Sequence, residues 1–184
     1  KILLIIPRYN DILNFNNKES KFSYRHSCFK EEKLIIVEAI INLKKDLPKE
    51  KIKEIAESRI TYRQERQPLE FPNCGSVFKN VDVAKAPAET VEKFKHLIKT
   101  DPFDVIPTAA LTDAAGLKGY IIGGAQVSEK HPNFIINIGN AKSADILGVI
   151  NFVKEKIKNE YGVDLEVEIE LVWFIDTFYI SCII

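Results

Sequence analysis

The 184-residue sequence predicts an α+β fold. Three observations carry that prediction. Segments with two-residue alternation and segments with helical spacing both occur, but without the regular strand–helix–strand order of a parallel sheet. The composition, 46% hydrophobic and 28% charged, suits a packed core and argues against disorder. A charged helix gives way near Arg66–Gln67 to a proline-rich loop, the best candidate for a boundary.

Ile2–Ile6 is a short apolar run that predicts a strand, and Asn10–Ser20 is polar and turn-like. Lys33–Leu43 is rich in β-branched residues and reads as a longer strand. Asp46 is placed to cap a helix beginning near Pro48, in which Ile52, Ile55, Ala56 and Ile60 follow helical spacing to about Arg66. Pro68 ends it, because the residue before a proline disfavours the helical conformation. Pro68–Gly75 is loop, and Ser76–Val83 is extended. Pro87–Thr100 predicts an amphipathic helix with Val91, Phe94, Leu97 and Ile98 on one side. Pro107–Ala115 predicts a shorter helix closed by Gly116. Tyr120–Ile122 and Phe134–Ile138 are strand candidates around a Gly-Gly-Ala-Gln turn. Ser143 is expected to cap a long helix with Ile146, Ile150, Val153 and Ile157 inward, ended by Gly162. Val163–Phe174 alternates, with Val163, Leu165, Val167 and Ile169 opposite Asp164, Glu166, Glu168 and Glu170, and reads as a half-exposed strand.

Composition excludes several functions. Lys plus Arg is 26 and Asp plus Glu is 26, which argues against nucleic acid, since phosphate binding favours a basic excess. All 8 glycines lie at or after Gly75, so no glycine-rich phosphate loop is expected in the first 74 residues. The 3 cysteines, Cys28, Cys74 and Cys182, show no paired spacing, and His26, His96 and His131 form no metal motif, so neither disulfides nor a metal site is expected. Ile2–Pro7 is too short for a signal peptide. Trp173–Ile184 is apolar but only 12 residues long, against roughly 20 for a membrane span. With 0 methionines, Lys1 is not expected to be a translation start.

Four constellations could carry chemistry. In Asn73–Asn80, Gly75 allows a turn that presents the Ser76 hydroxyl, with Lys79 and Asn80 close behind. Tyr24-Arg25-His26-Ser27 offers a cation for a carboxylate or developing oxyanion. In Gly116–Gly119 and Gly123–His131 two glycine clusters make tight turns, the stretch reads as a hairpin or strand–turn–strand, and it bears Lys118, Gln126 and His131. Glu166, Glu168 and Glu170 form an acidic row, most simply a solvated strand face.

Taken in order, these segments resemble the C-terminal part of UDP-N-acetylenolpyruvoylglucosamine reductases, in the shorter subtype of that family. The matching strings are YRHS at Tyr24–Ser27, RQPLEFPNCGSVFKN at Arg66–Asn80, AGLKGYIIGGAQVSEKHPNFIINIGNA at Ala115–Ala141 and DLEVEIELV at Asp164–Val172. The resemblance implies reduction of the enolpyruvyl ether of UDP-N-acetylglucosamine to UDP-N-acetylmuramate in the bacterial cytoplasm, with FAD and NADPH as cofactors. Hydride at the terminal alkene carbon leaves negative charge beside the carboxylate, so a cation and an acid there lower the barrier. By resemblance Arg25 and Glu168 take those roles. A glutamate that donates to such an oxygen must be protonated. Ser76 matches the family's proton donor, while Tyr24, Asn80, Lys118 and His131 match substrate-contacting positions.

The resemblance also implies a division. Residues 1–66, with a returning strand at 163–172, look like the C-terminal part of the FAD-binding domain. Residues 67–162 look like the substrate-binding domain, and 173–184 is an unmatched apolar tail, a read-through or an extra edge strand. The family's FAD loops lie before the matching region, so the chain is expected to lack them and to be inactive alone. The alternative is a non-catalytic module that binds the UDP-sugar. Glu170 stands where the family carries a substrate-holding arginine, Ala110 where it often has a large aromatic, and Trp173 where it has glycine.

Overall fold

Alternating apolar residues build more strands than the sequence alone predicts. The computed structural model describes residues 2–6, 11–32, 34–100, 103–174 and 177–181. The chain divides into two compact units, Lys1–Lys53 and Glu54–Ile184. Its mixture of antiparallel sheets and helices is the α+β class that the sequence predicts.

In the first unit β1 (Ile2–Ile6) pairs antiparallel with β2 (Asp11–Phe15), from Ile2↔Phe15 to Ile6↔Asp11. The first half of the segment expected to be turn-like is therefore a strand, and the turn begins at Asn17. Half-buried Leu13 and Phe15 flank exposed Asn14, the alternation that a one-sided strand needs. They pack against Cys28 and Phe29 of a one-turn helix, α1 (Cys28–Glu31), which the sequence pattern does not reveal. The ring of Phe29 meets Phe15 and Phe22 edge-on, at 5.6 and 5.9 Å. Burial pushes the Cys28 thiol above its usual range and makes it a poor nucleophile. Cys182 lies outside the described residues.

The long strand expected over Lys33–Leu43 is only β3 (Ile35–Ala39), with Lys33 outside the described residues. Its partner sets the limit, since β3 pairs with the five-residue β1 across a bulge at Leu3/Leu4. Helix α2 (Lys49–Arg66) forms as expected, but its apolar stripe is uncovered, with Ile52, Ile55 and Ile60 41–56% exposed.

The second unit is built on α5 (Ser143–Tyr161), whose Val149, Ile150, Val153 and Ile157 are buried. They pack with Val77, Ile106, Leu111 and Val127 in one core. Its N-cap is Lys142, not Ser143. Asp145 stabilises that end by accepting the Lys142 N–H at 2.9 Å, which holds its carboxyl below the usual range. Gly162 closes the helix at φ 66°, in the left-handed region that glycine enters freely. At that end Tyr161 meets Phe94 edge-on at 5.3 Å, and burial pushes its phenol up to about 12.

Helix α3 (Ala88–Phe94) is shorter than expected. It tightens into a 3-10 turn at Lys95–Leu97 once Phe94 has reached the core, and Leu97 points outward. Helix α4 (Thr108–Ala114) follows the two-residue strands β5 (Val81–Asp82) and β6 (Val105–Ile106), which pair with each other. The main sheet runs in the order β4 (Asn73–Ser76), β9 (Phe134–Asn137), β8 (Ala125–Val127), β7 (Ile121–Ile122). Ala125–Val127 begins inside the expected Gly-Gly-Ala-Gln turn. It forms a strand because Ala125 and Val127 are buried either side of Gln126.

Val163–Phe174 is not one strand. Val163, Leu165 and Ile169 are buried as the alternation predicts, but ahead of Glu170 the only bridge among the described residues is Phe78↔Val167. The regular ladder starts at β10 (Glu170–Phe174), which pairs with β11 (Thr177–Ser181). The apolar tail thus supplies a strand, with 175–176 and 182–184 outside the described residues.

Candidate active site

Ser76 is placed by its own loop. The Asn73 side-chain amide donates to the carbonyls of Pro68 (3.0 Å) and Phe71 (2.8 Å), and its Oδ1 accepts the Gly75 N–H at 3.0 Å. Gly75 has φ 82°, where a side chain is strained. The ladder passes from Asn73↔Ile136 to Ser76↔Phe134, so β4 holds one extra residue. Such a bulge re-aims the side chain that comes after it. Ser76 is half-buried, and no hydrogen bond joins its hydroxyl to another side chain or backbone group among the described residues.

Glu168 comes to the same strand from the far end of the unit. Its N–H donates to the Val77 carbonyl at 2.8 Å, and the Lys79 N–H donates to the Glu166 carbonyl at 2.9 Å. Ser76 and Glu168 therefore lie on adjoining extended segments, one residue apart across a shared hydrogen bond. Glu168 is half-buried, while Glu166 and Glu170 are exposed. Glu166 is held by Lys79 at 2.9 Å and Lys85 at 3.7 Å, and Lys79 chiefly keeps its carboxyl below the usual range.

Asn80 uses Oδ1 to accept the Thr108 N–H at 3.3 Å. His131 packs edge-on against Phe134, the partner of Ser76, at 4.7 Å. Burial lowers the pKa of His131 below its usual value, so the ring is neutral at pH 7, with Nδ1 accepting the Asn133 N–H at 3.4 Å. Lys118 begins the turn into β7, where Gly119 N–H donates to the Val127 carbonyl at 2.9 Å, and its Nζ pairs with Asp113 at 2.8 Å. The turn at Lys118, the turn holding His131 and the end of β4 at Ser76 all lie at one end of the sheet. Ser76, Lys118, His131 and Glu168 are gathered there from positions up to 92 residues apart in sequence.

The Gly123–Gly124 turn belongs to the opposite end. Gly124 N–H donates to Asp145 at 3.4 Å, and a side chain at Gly124 would meet Ala141 N at 2.5 Å. These glycines serve close packing against the start of α5, not the residues around Ser76. Gln126 is likewise spent inside the fold, donating to the Gly119 carbonyl at 3.3 Å.

Tyr24 and Arg25 lie in the first unit, at the tip of a hairpin closed by Ser23 and His26, whose N–H groups each donate to the other's carbonyl at 3.1 Å. Arg25 has φ 56°, which costs a non-glycine residue about 1–2 kcal/mol. Its guanidinium lies 5.3 Å from the Tyr24 ring centre.

FAD needs adjacent backbone N–H groups around its pyrophosphate. The adjacent glycine pair, Gly123–Gly124, faces the Asp145 carboxylate, and a side chain at Gly119 would strike Glu129. Gly75, Gly116 and Gly139 have open space but stand singly, so the described residues present no open glycine pair for a pyrophosphate. Among them no three His, Cys, Asp or Glu side chains cluster for a metal, and no helix is long and apolar enough to cross a membrane.

Fold and site together define a mixed α+β domain that gathers a hydroxyl, a carboxyl and nitrogen groups at one end of an antiparallel sheet. Residues 67–172 match the family model of the UDP-N-acetylenolpyruvoylglucosamine reductase C-terminal domain. The chain belongs to the UDP-N-acetylenolpyruvoylglucosamine reductase family. Reductases of that name from Thermotoga sp. (strain RQ2) and Fervidobacterium nodosum are 41% and 43% identical to it over 158 and 162 residues, covering 86% and 88% of this chain and 45% of each relative. The chain spans about half the length of the curated relatives it matches. The crystal structure of the Thermus caldophilus reductase shares the fold, with a TM-score of 0.64 at 24% identity, over 91% of this chain and 50% of that one.

Proposed function

We propose that this chain supplies the substrate side of the reduction of UDP-N-acetylglucosamine enolpyruvate to UDP-N-acetylmuramate, a step of peptidoglycan precursor synthesis in the bacterial cytoplasm. The observation that supports this reading is the hydrogen bond from Glu168 N–H to the Val77 carbonyl, which joins the backbone at Glu168 to the residue after Ser76. In the family the hydride comes from FAD reduced by NADPH. The residues of this chain stabilise the resulting charge and supply the proton. Hydride on the terminal alkene carbon places charge on the carboxylate, which Arg25 and Glu168 stabilise in the family's pattern. The Ser76 hydroxyl then gives its proton to the carbon next to that carboxylate, completing the lactyl ether. Tyr24, Asn80, Lys118 and His131 hold the substrate. In this reading 1–66, with 163–172, is the C-terminal part of the FAD-binding domain, and 67–162 is the substrate-binding domain.

The 184-residue chain by itself is expected to bind the UDP-sugar and not to reduce it, because its one adjacent glycine pair, Gly123–Gly124, faces the Asp145 carboxylate. Absorbance and NADPH-oxidation measurements on the purified chain check this. Stoichiometric flavin with steady NADPH oxidation would contradict it. The misfit with FAD favours a second reading, UDP-sugar binding without catalysis. A chimera carrying this segment in the Thermotoga maritima reductase, 40% identical over 158 residues, separates the two. Turnover supports the first reading, and binding without turnover supports the second.

Glu170 is exposed at the first residue of β10, two residues past Glu168. A negative charge there opposes an anionic ligand. Glu170→Arg is expected to tighten UDP-sugar binding about tenfold by calorimetry at low salt, with the gain shrinking as the Debye length falls to about 8 Å. Equal affinity for both chains would show that Glu170 lies away from the ligand.

A further inference from the structure

We propose that Asn133 is a positioning residue for Ser76 and Glu168, an inference that rests on the function proposed above. Asn133 is 4% exposed and precedes β9. Its side-chain Oδ1 accepts the Phe78 N–H at 3.1 Å, and its Nδ2 donates to the Phe78 carbonyl at 2.9 Å. Its backbone carbonyl accepts the Val77 N–H at 2.8 Å. A backbone N–H must meet an oxygen and a carbonyl must meet an N–H, so the orientation of the amide is fixed by its partners.

The Asn133 side chain thus pairs with Phe78 as a further strand residue would. It extends the edge of β9 beyond Phe134 and keeps the chain after Ser76 straight for two residues. Those residues then receive Glu168, through the Val77 carbonyl, and Val167, through the bridge to Phe78. One amide therefore sets a common frame for the hydroxyl and the carboxyl, although it touches neither. The next residue along, Phe134, is the ladder partner of Ser76. Without the amide, both polar backbone groups of Phe78, itself 2% exposed, lose their partners.

The test uses the 184-residue chain, with Asn133→Ala, which removes both hydrogen bonds to Phe78, and Asn133→Asp, which keeps an acceptor for the Phe78 N–H but turns a carboxylate oxygen toward the Phe78 carbonyl. Without ligand, hydrogen exchange at the Phe78 and Glu168 amides is expected to rise at least about tenfold in both variants, the net effect of one lost hydrogen bond or more, with Val153 in α5 unchanged. During titration with UDP-N-acetylglucosamine enolpyruvate, amide NMR shifts at Ser76 and Glu168 are expected to be lost while those at Lys118 persist, with affinity about tenfold weaker. A purely structural role would move all three sites together or none. Unchanged exchange at Glu168 overturns the clamp whatever the ligand does, and so do retained shifts at Ser76 and Glu168. If the unsubstituted chain shows no shifts, the functional reading fails, and the exchange result still decides whether Asn133 holds the two segments.

Discussion

In the Thermotoga maritima chimera, Ser76→Ala is expected to lower kcat for enolpyruvyl reduction about 100- to 10,000-fold, the range spanned by general acid–base catalysis. KM for the substrate moves only a few-fold. The position of the residue is the reason. Ser76 comes after a bulge and a glycine at φ 82°, and its hydroxyl is not tied to another group among the described residues. A structural serine at a strand end would ordinarily return that hydroxyl to the backbone. Removing it takes away a proton and little binding area, so the loss falls on kcat. Ser76→Cys, which retains an acidic hydrogen, recovers part of the rate. Steady-state kinetics on the three chains check this, and a Ser76→Ala chimera with unchanged kcat would remove Ser76 from the chemistry.

Gly124→Ala is expected to destabilise the chain severely and leave the Ser76 end of the sheet untouched. The new Cβ would lie 2.5 Å from Ala141 N and 2.7 Å from Ala141 Cα, and it would also strike the Gly139 carbonyl oxygen. These are backbone atoms that no rotamer change can move aside. Overpacking of this kind costs about 1–3 kcal/mol. For a chain of this length that lowers Tm by roughly 2–12 °C, at about 2–4 °C per kcal/mol. The upper part of the range is expected, because moving Ala141 also disturbs Asp145, which caps α5 and accepts from Gly124 itself. Thermal unfolding by circular dichroism checks the size. UDP-sugar affinity below the transition should be unchanged, since this turn and Ser76 lie at opposite ends of the sheet.

Local signals are readable where one segment decides its own structure. The spacing of Ile150, Val153 and Ile157 marks the buried face of α5, and Gly162 marks its end. Alternation from Val163 to Ile169 marks which side faces the core. The motif around Gly75 marks a turn, and the turn does set Ser76. What escapes depends on partners distant in sequence. Strand β2 looks polar until β1 supplies its ladder, and β3 is cut to the length of its partner. Ser143 looks like a cap, but the Asp145 carboxylate two residues on does that work. The paired glycines look like part of the ligand-facing turns, and only the packing of residues 139–141 against them shows otherwise. Asn133 gives no signal at all, because its meaning lies in Phe78, 55 residues away.

If one end of the four-stranded sheet receives the substrate, amide NMR on the unsubstituted chain will show it during titration with UDP-N-acetylglucosamine enolpyruvate. Saturable shifts are expected at Ser76, Asn80, Lys118, His131 and Glu168, with Gly123, Gly124 and Asn140 unmoved. An absence of shifts, or shifts gathered at Gly123 and Gly124, would place the substrate elsewhere and refute the proposed site.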